Sequence, residues 1–438
     1  MTAVIEMSDL PREFVLFFLF VLGLCIGSFL NVCIHRFPVK RRLRDQLWSL
    51  NSHSSGCPRC SSAIRWHDNV PLLGWLILRG RCRSCRLPIS VRYPLVELLT
   101  AVLFVVLYQC EMPVNFWGGV GTAGLQTADG PWAVFPQSAA VVWLHVRYGL
   151  HVAMVCCLIV ATFIDLELWI IPDGSTVPLM LFSILVHTVS GQCWIVPVWF
   201  QDSSVAATLR TVLPDSLSWL MFSWDAMPFA AGYPHLHGFF VSVAGLVAGG
   251  GIVWLVRLIG ACVLRREAMG FGDVVLMAMI GSVIGWQPVL VVFVLSMLLA
   301  IMFMAVPLLL LRKDGFPFGP WLSLAAVVLM LFWAVLWPRF QPFFQLGPLL
   351  LPIATVLLLI MPAGWWMLHR AFCWMGFVSV AEVKFSEDDG IPVIYPGERS
   401  DPTAGLWDRS MWSGVRSGQG VSAVYRWKHG GRDQGGLV

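Results

Sequence analysis

Charge is what this chain has least of. Only 12% of its 438 residues are Asp, Glu, Lys or Arg, while 58% are hydrophobic and the mean hydropathy is +0.75. Soluble domains carry about twice that share of charge, so a water-soluble globular enzyme is excluded and an all-α polytopic membrane protein is expected. The net charge of +4 is too small to argue for a nucleic-acid partner. No Ala-x-Ala-like site follows the first apolar run, and Glu6 and Asp9 precede it. The run is therefore expected to stay as a helix and not to be removed as a signal peptide. No internal repeat is visible, which removes the signature of many transporters.

Lys and Arg are missing from particular segments as well. None occurs from Gln109 to His145, and Gly191 to His237 holds only Arg210. They concentrate instead from Arg36 to Arg92, at Arg257, Arg265 and Arg266, at Arg312 and Lys313, and at Arg370. Between these blocks stand nine apolar runs, beginning at Phe14, Pro94, Ala139, Ser175, Gly238, Val274, Pro288, Trp321 and Leu346. Several fall below the roughly 20 residues of an untilted span, and the run from Val274 is the weakest. Basic loops face the cytosol. The alternation predicts about nine transmembrane helices, starting outside and ending inside, surrounded by membrane lipid. The implied organisation is a first transmembrane helix over 1–34, a cytosolic loop domain over 35–93 and a membrane core over 94–337. An additional transmembrane helix over 338–368 and a disordered cytosolic tail over 369–438 complete it.

Four of the twelve cysteines form two hooks, Cys57-Pro58-Arg59-Cys60 and Cys82-Arg83-Ser84-Cys85. Such hooks can offer four thiolates to one tetrahedral Zn²⁺. Disulfides are rare in the cytosol, so a structural zinc-bound loop is the better expectation than redox-active pairs. The other cysteines read as small hydrophobes.

Two acids stand where an acid is costly. Asp165 ends an apolar run in Phe163-Ile164-Asp165-Leu166-Glu167-Leu168, and Asp273 opens another in Gly270-Phe271-Gly272-Asp273. Carboxylates at the mouths of membrane helices are functional candidates, and loop charge puts both on one face. Two carboxylates brought together can share one proton, so that one activates water while the other protonates a substrate oxygen. Gly270 and Gly272 are expected to permit a sharp turn and close approach. Glu167 and Asp173 are rival acids: Asp173 follows Pro172 and suits a helix cap, and Glu167 suits a solvated neighbour. Helix capping is also the bland alternative for Asp165 and Asp273.

These motifs, in order, resemble the type IV prepilin peptidases. The likeness begins at Gly27-Ser28-Phe29-Leu30-Asn31-Val32 and Arg36-Phe37-Pro38 and continues through the cysteine hooks. It takes in Asn69-Val70-Pro71-Leu72-Leu73-Gly74-Trp75 and Arg92-Tyr93-Pro94-Leu95-Val96-Glu97-Leu98. The segment from Asp165 to Asp173, Gly270 to Asp273 and Pro317-Phe318-Gly319-Pro320 complete it. The resemblance implies that Asp165 and Asp273 are the catalytic pair. The substrates would be prepilins or pseudopilins of pilus or type II secretion machinery, cut on the cytosolic side. The new N-terminus would then be methylated from S-adenosylmethionine. No glycine-rich fingerprint for that cofactor is visible, and Glu97 and the cysteine loop are the candidates for this half, with orientation of a buried Arg as the other reading of Glu97. Many relatives have Lys where Val275 stands. The alternatives are a presenilin-like intramembrane protease, a transporter with interfacial carboxylates, and a non-catalytic zinc-loop scaffold.

Overall fold

A computed structural model describes residues 12–112 (except 41, 52–55, 58, 59 and 61), 141–199, 203–212, 214, 226–264, 269–311, 317–347 and 350. Among these the chain is helical, with no strand and two isolated bridges, Gly56 with Ala63 and Arg81 with Pro88. The helices are α1 Arg12–Arg36, α2 Leu43–Ser49, α3 Leu73–Ile77, α4 Arg92–Glu111, α5 Val141–Leu168, α6 Val177–Ser190 and α7 Ser203–Val212. Then come α8 Met227–Gly232, α9 Pro234–Leu264, α10 Phe271–Ile284, α11 Trp286–Leu311, α12 Gly319–Leu331 and α13 Trp333–Phe344.

Five helices are long and apolar enough to cross a membrane: Arg12–Val39, Arg92–Glu111, Trp143–Leu168, Pro234–Ala261 and Trp286–Phe303. The pair α12 and α13, bent by 101°, makes a sixth if it is one span. Nine expected crossings thus meet five or six among the described residues. The shortfall has physical causes. The weakest run became α10, whose 14 residues rise only about 21 Å, short of the roughly 30 Å hydrocarbon core. Helix α6 is equally short, and the run from Trp321 breaks at Phe332. The run from Leu346 lies almost wholly outside the described residues, as do the tail and Arg265, Arg266, Arg312 and Lys313.

Two groups of helices meet at α5. On one side α1 and α4 pack together and against α5; on the other, α6, α9, α10, α11 and α12 form the larger bundle. Helix α5 touches members of both. Small residues set the tight crossings, Gly23 and Gly27 of α1 against Ala101 and Glu97 of α4, and Gly245 of α9 against Gly281 of α10. The innermost helix is α10, which is apolar all round and buries Leu276, Met277, Met279, Ile280, Val283 and Ile284. It contacts α5, α6, α9, α11 and α12, and Asp273 in its first turn is buried, while Phe271 at its start is exposed.

At the other end of α5 lies a polar cluster the sequence reading did not single out. His151 Nδ1 is 2.6 Å from Glu111 Oε1, both side chains are buried, and Arg147 is buried beside them. Fourteen residues separate His151 from Asp165, about 21 Å along the helix. Nearby, 191–199 folds down onto the bundle: Trp286 Nε1 donates to the Val198 carbonyl at 2.6 Å, and the Val198 N–H donates to His237 Nε2 at 3.1 Å. This part of the Arg- and Lys-poor segment from Gly191 to His237 is therefore packed structure. The segment 113–140 lies outside the described residues.

Candidate active site

Three helix ends converge on the two acids. Asp165 lies in the last turn of α5, Asp273 is the third residue of α10, and Gly319 is the first residue of α12. Both carboxylates are buried. Asp165 Oδ2 accepts the Gly319 N–H at 3.1 Å, and Asp273 Oδ2 accepts the Gly270 N–H at 3.2 Å. Each acid therefore meets the positive end of a helix, its own for Asp273 and another for Asp165. They are also close enough for the charge of Asp273 to act on Asp165, although 108 positions separate them. Among the described residues the Oδ1 atom of neither acid makes a hydrogen bond. The capping geometry considered from sequence is thus present at both acids, combined with burial and with mutual approach.

Ile171 is the apolar spacer of the site. A Cβ on Gly272 would lie 3.0 Å from Ile171 Cβ, and one on Gly319 would lie 2.6 Å from Asp165 Oδ2 and 3.0 Å from Ile171 Cδ1. Glycine is needed at both positions for close approach. The sharp turn expected at Gly270 is absent, because its φ of −72° and ψ of 152° suit any residue. Helix α5 ends instead on Trp169, whose φ of +60° is left-handed and whose N–H bonds the Asp165 carbonyl at 3.0 Å. A non-glycine residue there costs of order 1–2 kcal/mol.

The rival acids separate. Glu167 is exposed, and its Oε1 takes Arg92 Nη1 at 2.6 Å, so it is an ion-pair partner and not merely solvated. Asp173 is exposed and begins a short 3₁₀ turn, but the cap of α6 is Thr176 and no side chain bonds it. The expected cap by Asp173 is therefore corrected: its side chain stays on the surface near the acid pair. Glu97 does not orient an Arg. Its Oε2 accepts the Leu72 N–H at 2.8 Å. Leu72 has a φ of +57°, so Glu97 holds a strained turn of the cysteine loop. One residue had escaped notice entirely. Gln46 Oε1 accepts the Gly174 N–H at 2.6 Å, joining α2 to the turn beyond Asp165. No spacing rule could have found it, because its partner is 128 positions away.

The cysteine hooks come together. The four sulfurs lie within 4.8 Å of one another, with Cys57 to Cys85 at 3.9 Å and Cys60 to Cys82 at 4.0 Å. A tetrahedral site with Zn–S bonds of about 2.3 Å has a sulfur–sulfur edge of about 3.8 Å, so the four residues fit a metal ion. Each hook is closed by a backbone bond at 2.9 Å, Cys57 N–H to the Ser62 carbonyl and Cys82 N–H to that of Leu87. Hydrogen bonds from the Ser62 side chain and backbone pull the Cys60 thiol down to about 6, toward the thiolate a metal needs. Arg83 of the second hook forks onto Asp68, which lies between the hooks, at 2.7 and 2.6 Å and holds that carboxyl below its ordinary range.

This architecture is that of a membrane protein built around buried acids and a four-cysteine loop. Residues 21–110 match the Bacterial Peptidase A24 N-terminal domain, and residues 209–305 match the Type IV leader peptidase family. Asp273 lies inside the second match, and Asp165 falls between the two. The chain is 31% identical over 340 residues to the prepilin leader peptidase/N-methyltransferase of Aeromonas hydrophila, covering 71% of this chain and 89% of that one. It is 31% identical over 355 residues to the protein of that name from Aeromonas salmonicida, covering 76% and 95%. A Myxococcus xanthus protein of the same name is 33% identical over 273 residues, covering 62% and 57%. No solved structure matches. The chain belongs to the type IV leader peptidase family and is a peptidase. Nothing in the geometry or the comparisons favours a presenilin-like protease, a transporter or a non-catalytic scaffold.

Proposed function

We propose that this protein removes the leader from type IV prepilins or pseudopilins, with Asp165 and Asp273 as the catalytic pair. The observation that carries the reading is the meeting of two buried carboxylates at three helix ends, in a chain similar to prepilin leader peptidases. Repulsion keeps one proton between them, and the pair titrates as a unit. The ionised member takes a proton from water as the water oxygen bonds to the scissile carbonyl carbon. The protonated member gives its proton to the carbonyl oxygen. The resulting tetrahedral diol collapses with breakage of the C–N bond: the leaving amine takes a proton from one acid while a diol hydroxyl gives its proton to the other, so the pair again holds one proton.

Charge alternation supports a cytosolic face for the site and about nine crossings within membrane lipid, and the likeness to prepilin leader peptidases supports an inner-membrane location beside pilus or type II secretion machinery. Cys57, Cys60, Cys82 and Cys85 would hold a structural Zn²⁺, closed by four sulfurs and so without a catalytic position. The names of the relatives support a second activity, methylation of the new N-terminus. S-adenosylmethionine, when bound, would supply an electrophilic methyl group. The α-amine exposed by cleavage has a pKa near 8, so an appreciable fraction is neutral and nucleophilic at about pH 7. Glu97 already accepts the Leu72 N–H, which fits a role in shaping the loop and not one in holding that cofactor.

Co-expression with a prepilin from the same genome tests both halves. Asp165→Asn and Asp273→Asn should each abolish cleavage while the protein still accumulates; normal processing by either variant would sink the pair. Mass spectrometry of the mature N-terminus should show one added methyl group, and both variants should still methylate a pre-cleaved substrate. An unmodified wild-type product, with S-adenosylmethionine present, would leave a peptidase alone.

A further inference from the structure

We infer that Gln46 is a positioning residue for leader cleavage, through which α2, at the start of the loop domain, keeps the acid pair in register. The inference rests on the assignment of Asp165 and Asp273 as that pair. Gln46 sits on α2, in the first part of the loop domain, and its side chain is buried. Oε1 accepts the Gly174 N–H at 2.6 Å, while Nε2 donates to the Lys40 carbonyl at 2.8 Å. The far end of α2 is tied down as well, since Arg36 Nη1 donates to the carbonyls of Ser49 at 2.7 Å and Leu50 at 3.1 Å. The amide of Gln46 is thus fixed at one end to a braced element and at the other to Gly174.

The segment from Trp169 to Thr176 links the helix carrying Asp165 to α6. Ile171 within it packs against Gly272 and Gly319, the neighbours of Asp273 and Asp165. Ser175 folds back on Pro172, its N–H and its hydroxyl both donating to that carbonyl, at 3.0 and 2.7 Å. This makes 172–175 a stiff turn, so a displacement at Gly174 reaches Ile171 and the two carboxylates. Among the described residues, Gln46 provides the only side-chain hydrogen bond onto residues 170–176 from outside that segment. The other end of the loop domain reaches the same neighbourhood, because Arg92 pairs with Glu167, two residues beyond Asp165. The loop therefore grips both flanks of the acid-bearing turn, and the buried grip is that of Gln46.

The test uses the full-length protein with Gln46→Met, which keeps volume and removes both hydrogen bonds, and Gln46→Glu, which keeps an acceptor for Gly174. Prepilin cleavage and amide hydrogen exchange are both measured. Gln46→Met should lower kcat at least about tenfold and leave KM within about twofold, the signature of misaligned reacting groups. Exchange should accelerate in the peptide spanning 169–176 and remain unchanged elsewhere in the bundle. Gln46→Glu, which keeps the acceptor for Gly174 but turns an oxygen toward the Lys40 carbonyl, should recover part of the kcat and of the protection. A wild-type kcat, a change confined to KM, or unaltered protection of 169–176 in Gln46→Met would overturn the inference. So would loss of protection throughout the bundle, which would make Gln46 a folding residue. Should the wild type cleave no prepilin at all, the functional assignment fails, and exchange still decides whether Gln46 holds the turn.

Discussion

Asp165 and Asp273 each give one oxygen to a backbone amide at a helix N-terminus, and this decides which substitutions are informative. Asparagine keeps an acceptor for that amide and removes only the ionisable group. Alanine would also strand the amide, at about 1–3 kcal/mol for an unsatisfied buried donor. Gly319→Ala probes the pair without replacing either acid. Its Cβ would lie 2.6 Å from Asp165 Oδ2, so the carboxylate must move. Leader cleavage should fall about 10- to 100-fold while the protein accumulates, since overpacking costs about 1–3 kcal/mol and misplacement is felt mainly in rate. Wild-type cleavage by Gly319→Ala would remove the Gly319–Asp165 contact from the mechanism. The rate of the wild type against pH should be bell-shaped, with one limb for the acid and one for the base. A rate that only rises or only falls between pH 4 and pH 9 (an interval on the order of the usual carboxylate-to-amine range) would speak against a shared proton. Both acids were legible in the sequence because an ionisable residue at the edge of an apolar run is conspicuous. The same signal was available for Glu111 and His151 and was passed over. Gly319 stood in a recognised motif, but its role is a backbone amide aimed through space, and Ile171 is one apolar residue among many.

At the scale of elements, the four-cysteine loop was the most readable part, because ligand spacing is a local property. Its sulfurs meet as the spacing required. Purified protein should hold about one zinc per chain. Serine at any one of Cys57, Cys60, Cys82 or Cys85 should lower that content and make 36–92 more sensitive to protease, since a loop this small has little core of its own. A reduced, cleavage-competent preparation free of zinc would remove the metal. The helices were less readable. Apolar runs were found where α1, α4, α5, α9 and α11 lie, but the crossing count was not, because apolarity does not distinguish a lipid-facing helix from one buried in protein. Helix α10 is the instructive case: it is apolar all round because protein surrounds it, and its 14 residues are too few for a straight crossing.

For the whole molecule, the position of the C-terminal segment tests the orientation drawn from loop charge. A cysteine introduced near residue 400 should react with a membrane-impermeant reagent only after the cells are opened. Labelling of intact cells would reverse the parity of crossings, and the run from Leu346 to Leu368 would be the first to re-examine. Helix α5 has a further consequence. Among the described residues it packs against both α1 and α4 on one side and α10 and α12 on the other, and α4 also meets α12, so covalent continuity between α4 and α5 adds little to what packing already holds. The gene could then be cut in two between those helices, within the codons for 113–140. The two fragments, made together in one cell, should find each other in the bilayer, copurify on a tag carried by either, and restore processing. Fragments that separate on purification would mean that the chain itself, and not the interface on α5, keeps the two groups of helices side by side.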